Sequence, residues 1–178
     1  MTGFFEIVHK NLEELTPPEL EEMNEVDLLA FYEEDGDEDW WQDWASPTIR
    51  FLGKENGRVV STVGLIRREI VVGGIPYRIG GVGGVATRPD KQQLGYAGRL
   101  LAESTRFMKN DPWYQYAMLF CDPKRIPYYQ KSGYAQITNP LYVRRESDRH
   151  LFPDPCMALE LREYPFPIGE VDCMGLPW

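Results

Sequence analysis

The chain has 178 residues, 43% of them hydrophobic and 13% aromatic, which fits one domain with a buried core and excludes a disordered chain. Its formal net charge is -9, but residues 1–47 hold 15 acids and one lysine while the rest holds 13 acids and 18 bases; much of the surface would repel nucleic acid, whereas a cationic and an anionic small ligand could each find a side. No apolar run reaches the roughly 20 residues of a membrane span, MTGFFEIVHKNLEEL lacks the regions of a secretory signal, and three scattered cysteines with two histidines suggest neither disulfides nor a metal site, so a cytoplasmic, metal-free chain without a membrane partner is expected.

Phe4 to Val8 is predicted as a strand. Thr16-Pro17-Pro18-Glu19 has capping-box spacing with proline in the first turn. It opens a helix to about Phe31, with Leu20, Met23, Val26, Leu29 and Ala30 near one face. The acidic run EEDGDEDWWQDW follows, with room for a short second helix. Residues 50–54 and 58–72 are predicted as strands joined at Glu55-Asn56-Gly57, and Gly73-Gly74 turns the chain into another from Ile75 to Thr87. Gly95 to about Met108 has Leu100, Leu101, Ser104 and Phe107 at helical spacing. Ala117 to Cys121 suits a buried strand, and Asp122-Pro123 starts a helix to about Ser132, stopped by Gly133. Tyr134 to Val143 and Cys156 to Leu161 complete the strands. The class is α+β, helices on a mostly antiparallel sheet, in a single domain spanning residues 1–178.

Two readings compete for IGGVGGVATRPDKQQLGYAG. Gly81, Gly83 and Ala86 fit the dinucleotide pattern G-x-G-x-x-A, but they lie inside a strand with Pro89 before the next helix. The other reading ends the strand at Val85, Ala86 and Thr87, turns at residues 88–91, and places Gln92, Gln93, Leu94, Gly95, Tyr96, Ala97 and Gly98 at the helix start. Unpaired N–H groups in a first turn suit a pyrophosphate, and small residues let it approach the backbone.

This Q-x-x-G-x-A segment after a strand resembles the acetyl-CoA-binding motif of the GCN5-related N-acetyltransferase (GNAT) superfamily. A second landmark is RIPYYQKSGY, where Tyr129 precedes Gly133-Tyr134 as in the superfamily's tyrosine helix. The resemblance runs from about residue 4 to 145. It implies the GNAT fold, acetyl-CoA (coenzyme A) as cofactor, and direct transfer of acetyl to a small-molecule primary amine. It also implies Val85 at an oxyanion-binding strand edge and Tyr129 as the general acid that protonates the leaving thiolate. Tyr128 is expected to face elsewhere, into the core. The glutamate that some relatives use as base is replaced by Gly83.

Two sources of a base or an ammonium site remain. One is the acidic run, where Glu34, Asp35, Asp37 and Asp39 offer carboxylates and Trp40, Trp41 and Trp44 ring faces for cation-π contact; a solvated charge run is the alternative. The other is the end GEVDCMGLPW, similar to the tails of aminoglycoside 2'-N-acetyltransferases and of enhanced intracellular survival acetyltransferases, whose terminal carboxylate lies at the acceptor. There Trp178 would be catalytic; a buried plug with its carboxylate in water is the alternative. The expected acceptor is cationic, aminoglycoside-like or a polyamine. A protein-lysine acetyltransferase and a non-catalytic acyl-CoA sensor stay open as alternatives, as does pairing into a homodimer. Cys121, ending a strand without a nearby histidine, is a weak candidate nucleophile.

Overall fold

The β-branched run from residue 58 gives the fold its longest hairpin: β3 (Arg58–Val72) turns at Gly73-Gly74 into β4 (Ile75–Thr87). Both turn glycines have positive φ, 57° and 84°, a conformation glycine adopts without a Cβ penalty. The computed structural model describes residues 4–35, 44–146 and 148–178. Around the hairpin, the described residues form a ten-stranded mixed sheet. Its other strands are β1 (Phe5–Asn11), β2 (Ile49–Glu55), β5 (Tyr116–Phe120), β6 (Ala135–Gln136), β7 (Leu141–Arg145), β8 (Asp148–Leu151), β9 (Cys156–Glu160) and β10 (Val171–Asp172). The order is β6-β9-β5-β4-β3-β10-β7-β8, and β2, carrying β1, pairs with the first half of β3. The helices are α1 (Pro17–Asp35), α2 (Tyr96–Asn110) and α3 (Ile126–Gln130).

Alternation along the strands fills both faces. Val63, Leu65, Val82, Ala117 and Leu119 pack with Leu100, Leu101 and Met108 of α2. Ile66, Ile70, Ile79, Met118 and Val171 pack on the other face, with Trp178 among them. Met23 and Val26 of α1 join Leu52, Val59 and Ala86 in a smaller cluster. Half of the expected capping box forms: Glu19 accepts from the Thr16 N–H at 2.9 Å, while the Thr16 hydroxyl donates to the same carboxylate at 2.9 Å. The same carboxylate takes Lys10 at 2.8 Å and Lys54 at 2.7 Å, tying α1 to β1 and β2. Burial pushes its pKa up, but the hydrogen bonds from Lys10, Lys54 and Thr16 outweigh it and hold the carboxyl well below the usual range.

Several expectations are corrected. Leu20 and Leu29 are 40% and 41% exposed rather than core residues, and α1 runs on to Asp35. The strand expected over residues 134–143 is broken into β6 and β7; Pro140 between them has no N–H to donate to a ladder. The helix expected from Asp122 begins as a 3-10 turn, Pro123–Arg125, before α3. The short β8 and β10 carry no alternating apolar signal and were not anticipated.

Candidate active site

The functional geometry starts where two parallel strands part. β4 and β5 pair only through Ile79–Gly81 and Tyr116–Met118. Beyond that point β4 stays with β3 up to Thr87, through a register irregularity opposite residues 62–64, with Gly84 at φ 54°. The edge of β4 that faced β5 has therefore lost its partner strand. Gly83, Gly84 and Val85 are half-buried there, between the buried Val82 and Ala86. Ala86 is 3% exposed, and the Thr87 hydroxyl lies 2.8 Å from that of Ser61. These two side chains fasten the strand from behind, so what β4 offers a ligand is main chain.

After Thr87 a 3-10 turn, Pro89–Lys91, leads to Gln93 at φ 63° and Gly95 at φ 79°, which caps α2. Left-handed backbone at a non-glycine residue such as Gln93 is uncommon and concentrates at ligand-binding turns. Gln92 reaches back to the Thr87 carbonyl at 3.4 Å, and Leu94 is 57% exposed. Tyr96 is anchored outside the loop: its ring stacks on Phe5 at 4.1 Å and its hydroxyl donates to Glu55 at 2.6 Å. Lys91 binds the same Glu55 carboxylate. Among the described residues, no protein acceptor takes the main-chain N–H groups of residues 93–98, Ala97 and Gly98 included. A cradle of amides at a helix N-terminus, with no side chain on Gly95 to block it, fits a pyrophosphate.

The two tyrosines of α3 reverse one expectation. Tyr129 is the buried one, 8% exposed and packed on the α2 side of the sheet. Tyr128, expected in the core, is 37% exposed, with its hydroxyl 4.0 Å from where a Cβ on Gly98 would lie. The signal that misled is their adjacency on a one-turn helix, where only packing decides which ring turns inward. Burial, followed by the neighbouring Tyr128 and Cys121, pushes the Tyr129 phenol well above its ordinary value. Cys121 beside it is raised too, by burial first and then by Asp122 and Asp154, which disfavours a thiolate nucleophile.

Trp178 wedges into the fork. Its indole N–H donates to the carbonyl of Met118, the last β5 residue paired with β4, at 3.2 Å, satisfying a carbonyl at the point of divergence. Its ring lies so close to Gly81 that a Cβ there would fall 2.5 Å from Cε2, and a Cβ on Gly83 would fall 2.8 Å from the Trp178 carbonyl carbon. Only glycine permits either approach. The segment leading to it is held on several sides: Arg68 donates to the Leu176 carbonyl at 2.5 Å, with its guanidinium carbon 5.2 Å from the Trp178 ring centroid. Ala45 N–H donates to Pro177 at 2.6 Å, and Arg144 N–H to Gly175 at 2.8 Å. Arg68 was not singled out from the sequence, since a charged residue on a long strand gives no sign of what lies over it.

Glu34 and Asp35 end α1 with their side chains outside the described residues, Asp37, Asp39, Trp40 and Trp41 lie outside them altogether, and Trp44 is half-buried. On the α1 side of the fork, Arg50 reaches within 2.9 Å of a Cβ position on Gly84 and pairs with Asp27 at 3.4 Å. An open depression lined by Val71, Gly73, Gly74, Arg144, Arg149, Glu170 and Asp172 is formed by other residues than the fork's, and its arginines are paired with Asp172 and Glu170.

A family model described as acetyltransferase (GNAT) domain matches residues 11–137. No curated protein sequence matches the chain. Among solved structures, a GNAT family N-acetyltransferase (YhbS) from Escherichia coli, in complex with CoA, superposes with TM-score 0.66 at 15% identity, over 98% of this chain and 96% of that one. A GNAT family acetyltransferase from Brucella melitensis, in complex with acetyl-CoA, gives 0.61 at 18% identity over 93% and 94%. An Enterococcus faecalis protein described as a probable N-acyltransferase gives 0.60 at 21% identity, over 75% of this chain but only 33% of that one, so this chain spans about a third of that longer protein. These likenesses share the α+β fold described above.

Proposed function

The chain belongs to the acetyltransferase (GNAT) domain family, and on that premise we propose that it transfers acetyl from acetyl-CoA directly to a primary amine of a small cationic molecule. The observation that carries this reading is the continuity of the opened β4 edge at residues 83–87 with the free amides of residues 93–98. Those amides and the dipole of α2 would hold the diphosphate. Two of the structural relatives are described with CoA or acetyl-CoA bound. The bound thioester supplies an activated acetyl group.

The remaining chemistry falls to this chain. In this reading the Val85 N–H, on the partnerless edge, is aimed at the acyl oxygen; one such donor is worth about 3 kcal/mol. Tyr129 holds the proton destined for the sulfur, and its raised phenol keeps that proton throughout the neutral range. An amine must lose a proton before it can attack, and Gly83 leaves room on β4 for the carboxyl end of Trp178. Where the chain terminates at Trp178, that group is an α-carboxylate able to accept the proton or pair with an ammonium. Glu34, Asp35, Asp37 and Trp40 complete the proposed acceptor side, with aminoglycoside-like and polyamine acceptors as its first candidates.

Calorimetric titration with acetyl-CoA, followed by free-thiol release across an amine panel, tests the reading. Binding in the micromolar range with amine-dependent thiol release is expected. Undetectable binding, or thiol release indifferent to amine, would overturn it.

A further inference from the structure

Four aromatic side chains from separate parts of the chain meet at the mouth of the fork. Trp178 lies 4.8 Å from Phe120, Phe120 lies 4.8 Å from Phe152, and Phe152 lies 6.1 Å edge-on from Trp44, centroid to centroid. Phe120 is the last residue of β5, two residues beyond Met118, where that strand leaves β4. Only Trp178 is fully buried; Trp44, Phe120 and Phe152 are half-buried, and Phe120 and Phe152 pack on the sheet face opposite α2. The row thus starts at Trp178, whose carbonyl carbon lies by Gly83, and passes from Phe120 to Phe152 and Trp44.

We propose that Trp44, Phe120, Phe152 and Trp178 form the acceptor subsite, and that the acceptor is a primary monoamine carried on an aromatic or alkyl body. This rests on the acetyltransferase reading above and sets a monoamine in place of its aminoglycoside-like and polyamine candidates. Placement argues for it: an amine presented to an acyl group at the fork must lay the rest of its structure along whatever wall adjoins the fork, and that wall is made of ring faces and edges. Rings reward burial of apolar surface and tolerate one adjacent ammonium. Beyond an indole N–H they offer no hydrogen-bond partners to the hydroxyls and several ammonium groups of an aminoglycoside, most of whose desolvation would go uncompensated.

The test is thiol release from acetyl-CoA with 2-phenylethylamine, n-hexylamine, spermidine and an aminoglycoside, for the wild type and for Phe152→Ala and Phe152→Leu. The expected result is a kcat/KM for the two monoamines at least tenfold above that for spermidine and the aminoglycoside. Phe152→Ala should raise the KM for 2-phenylethylamine about tenfold with little change in kcat or acetyl-CoA affinity, and Phe152→Leu should recover most of the loss. A purely structural role would instead lower the melting temperature and leave KM alone, which overturns the subsite. Preference for spermidine or the aminoglycoside overturns this substrate class while the acetyltransferase reading stands. Thiol release with none of the amines overturns both.

Discussion

Gly81→Ala tests whether Trp178 is held where the fork requires it. A methyl group at residue 81 would fall 2.5 Å from Cε2, 2.7 Å from Cδ2 and 2.7 Å from Nε1 of the indole. Carbon contacts settle at about 3.5–4.0 Å, so the ring must withdraw by about 1 Å, weakening its bond to the Met118 carbonyl and moving the end of the chain away from Gly83. Overpacking of this kind costs about 1–3 kcal/mol, which in a domain of this size lowers the melting temperature by about 2–12 °C. A displacement of about 1 Å near the reacting groups can cost about 100-fold in rate. The amides of residues 93–98 are untouched, so acetyl-CoA affinity should hold. Gly80→Ala is the control: its methyl would press on Met108 and Leu65 on the opposite face, where a thioether adapts, so stability falls without a comparable loss of kcat. Differential scanning fluorimetry, calorimetry and steady-state kinetics on both variants decide the matter. Equal kcat values for the two, or an unchanged melting temperature for Gly81→Ala, would refute the placement of Trp178 as a positioned group.

Tyr129→Phe should lower kcat by about 10²-fold or more with acetyl-CoA affinity retained; a wild-type rate would remove the general-acid role. Because burial raises the Tyr129 phenol, activity should show no alkaline decline from this group below about pH 10, and a pH-rate profile falling between pH 8 and 9 in wild type but not in the phenylalanine variant would contradict that. Adding residues after Trp178 should depress kcat through loss of the α-carboxylate, with intact mass spectrometry confirming where the unextended protein ends; full activity in the extended protein argues against the carboxylate. Gly95→Val should weaken acetyl-CoA binding at least tenfold, since φ 79° is strained for a β-branched residue and nothing else lies within 4 Å of the added Cβ; unchanged affinity would mean that the amides are not the cradle. Glu19 has a depressed folded-state pKa, so its contribution is present above the unfolded carboxyl value of about 4.3 and is lost as pH falls below it. Glu19→Gln should therefore destabilise at pH 7 by about 1–3 kcal/mol and flatten the acid limb of a stability-pH profile; an acid limb identical to wild type would show that the Lys10 and Lys54 pairs contribute nothing.

Local chemistry is what the sequence determined unaided. Thr16 to Glu19 capped α1 because a side chain three residues on reaches the N–H it needs, and Gly73-Gly74 turned the hairpin because the required φ is positive. Gln92 to Ala97 announced an open helix N-terminus, since small residues after a strand leave amides bare whatever packs behind them. Tertiary structure decided everything that depends on which surfaces meet. It chose Tyr129 over Tyr128 as the buried ring, and it set Phe120 and Phe152 beside Trp44 of the tryptophan-rich run, and Arg68 over Trp178, from positions that share no sequence pattern. It also gave Gly81 and Gly83 their meaning: in the sequence they fit a weak nucleotide fingerprint, and in the fold they are the gap into which residue 178 fits, because a missing Cβ tells only of available space, and the occupant of that space arrives from almost a hundred residues away.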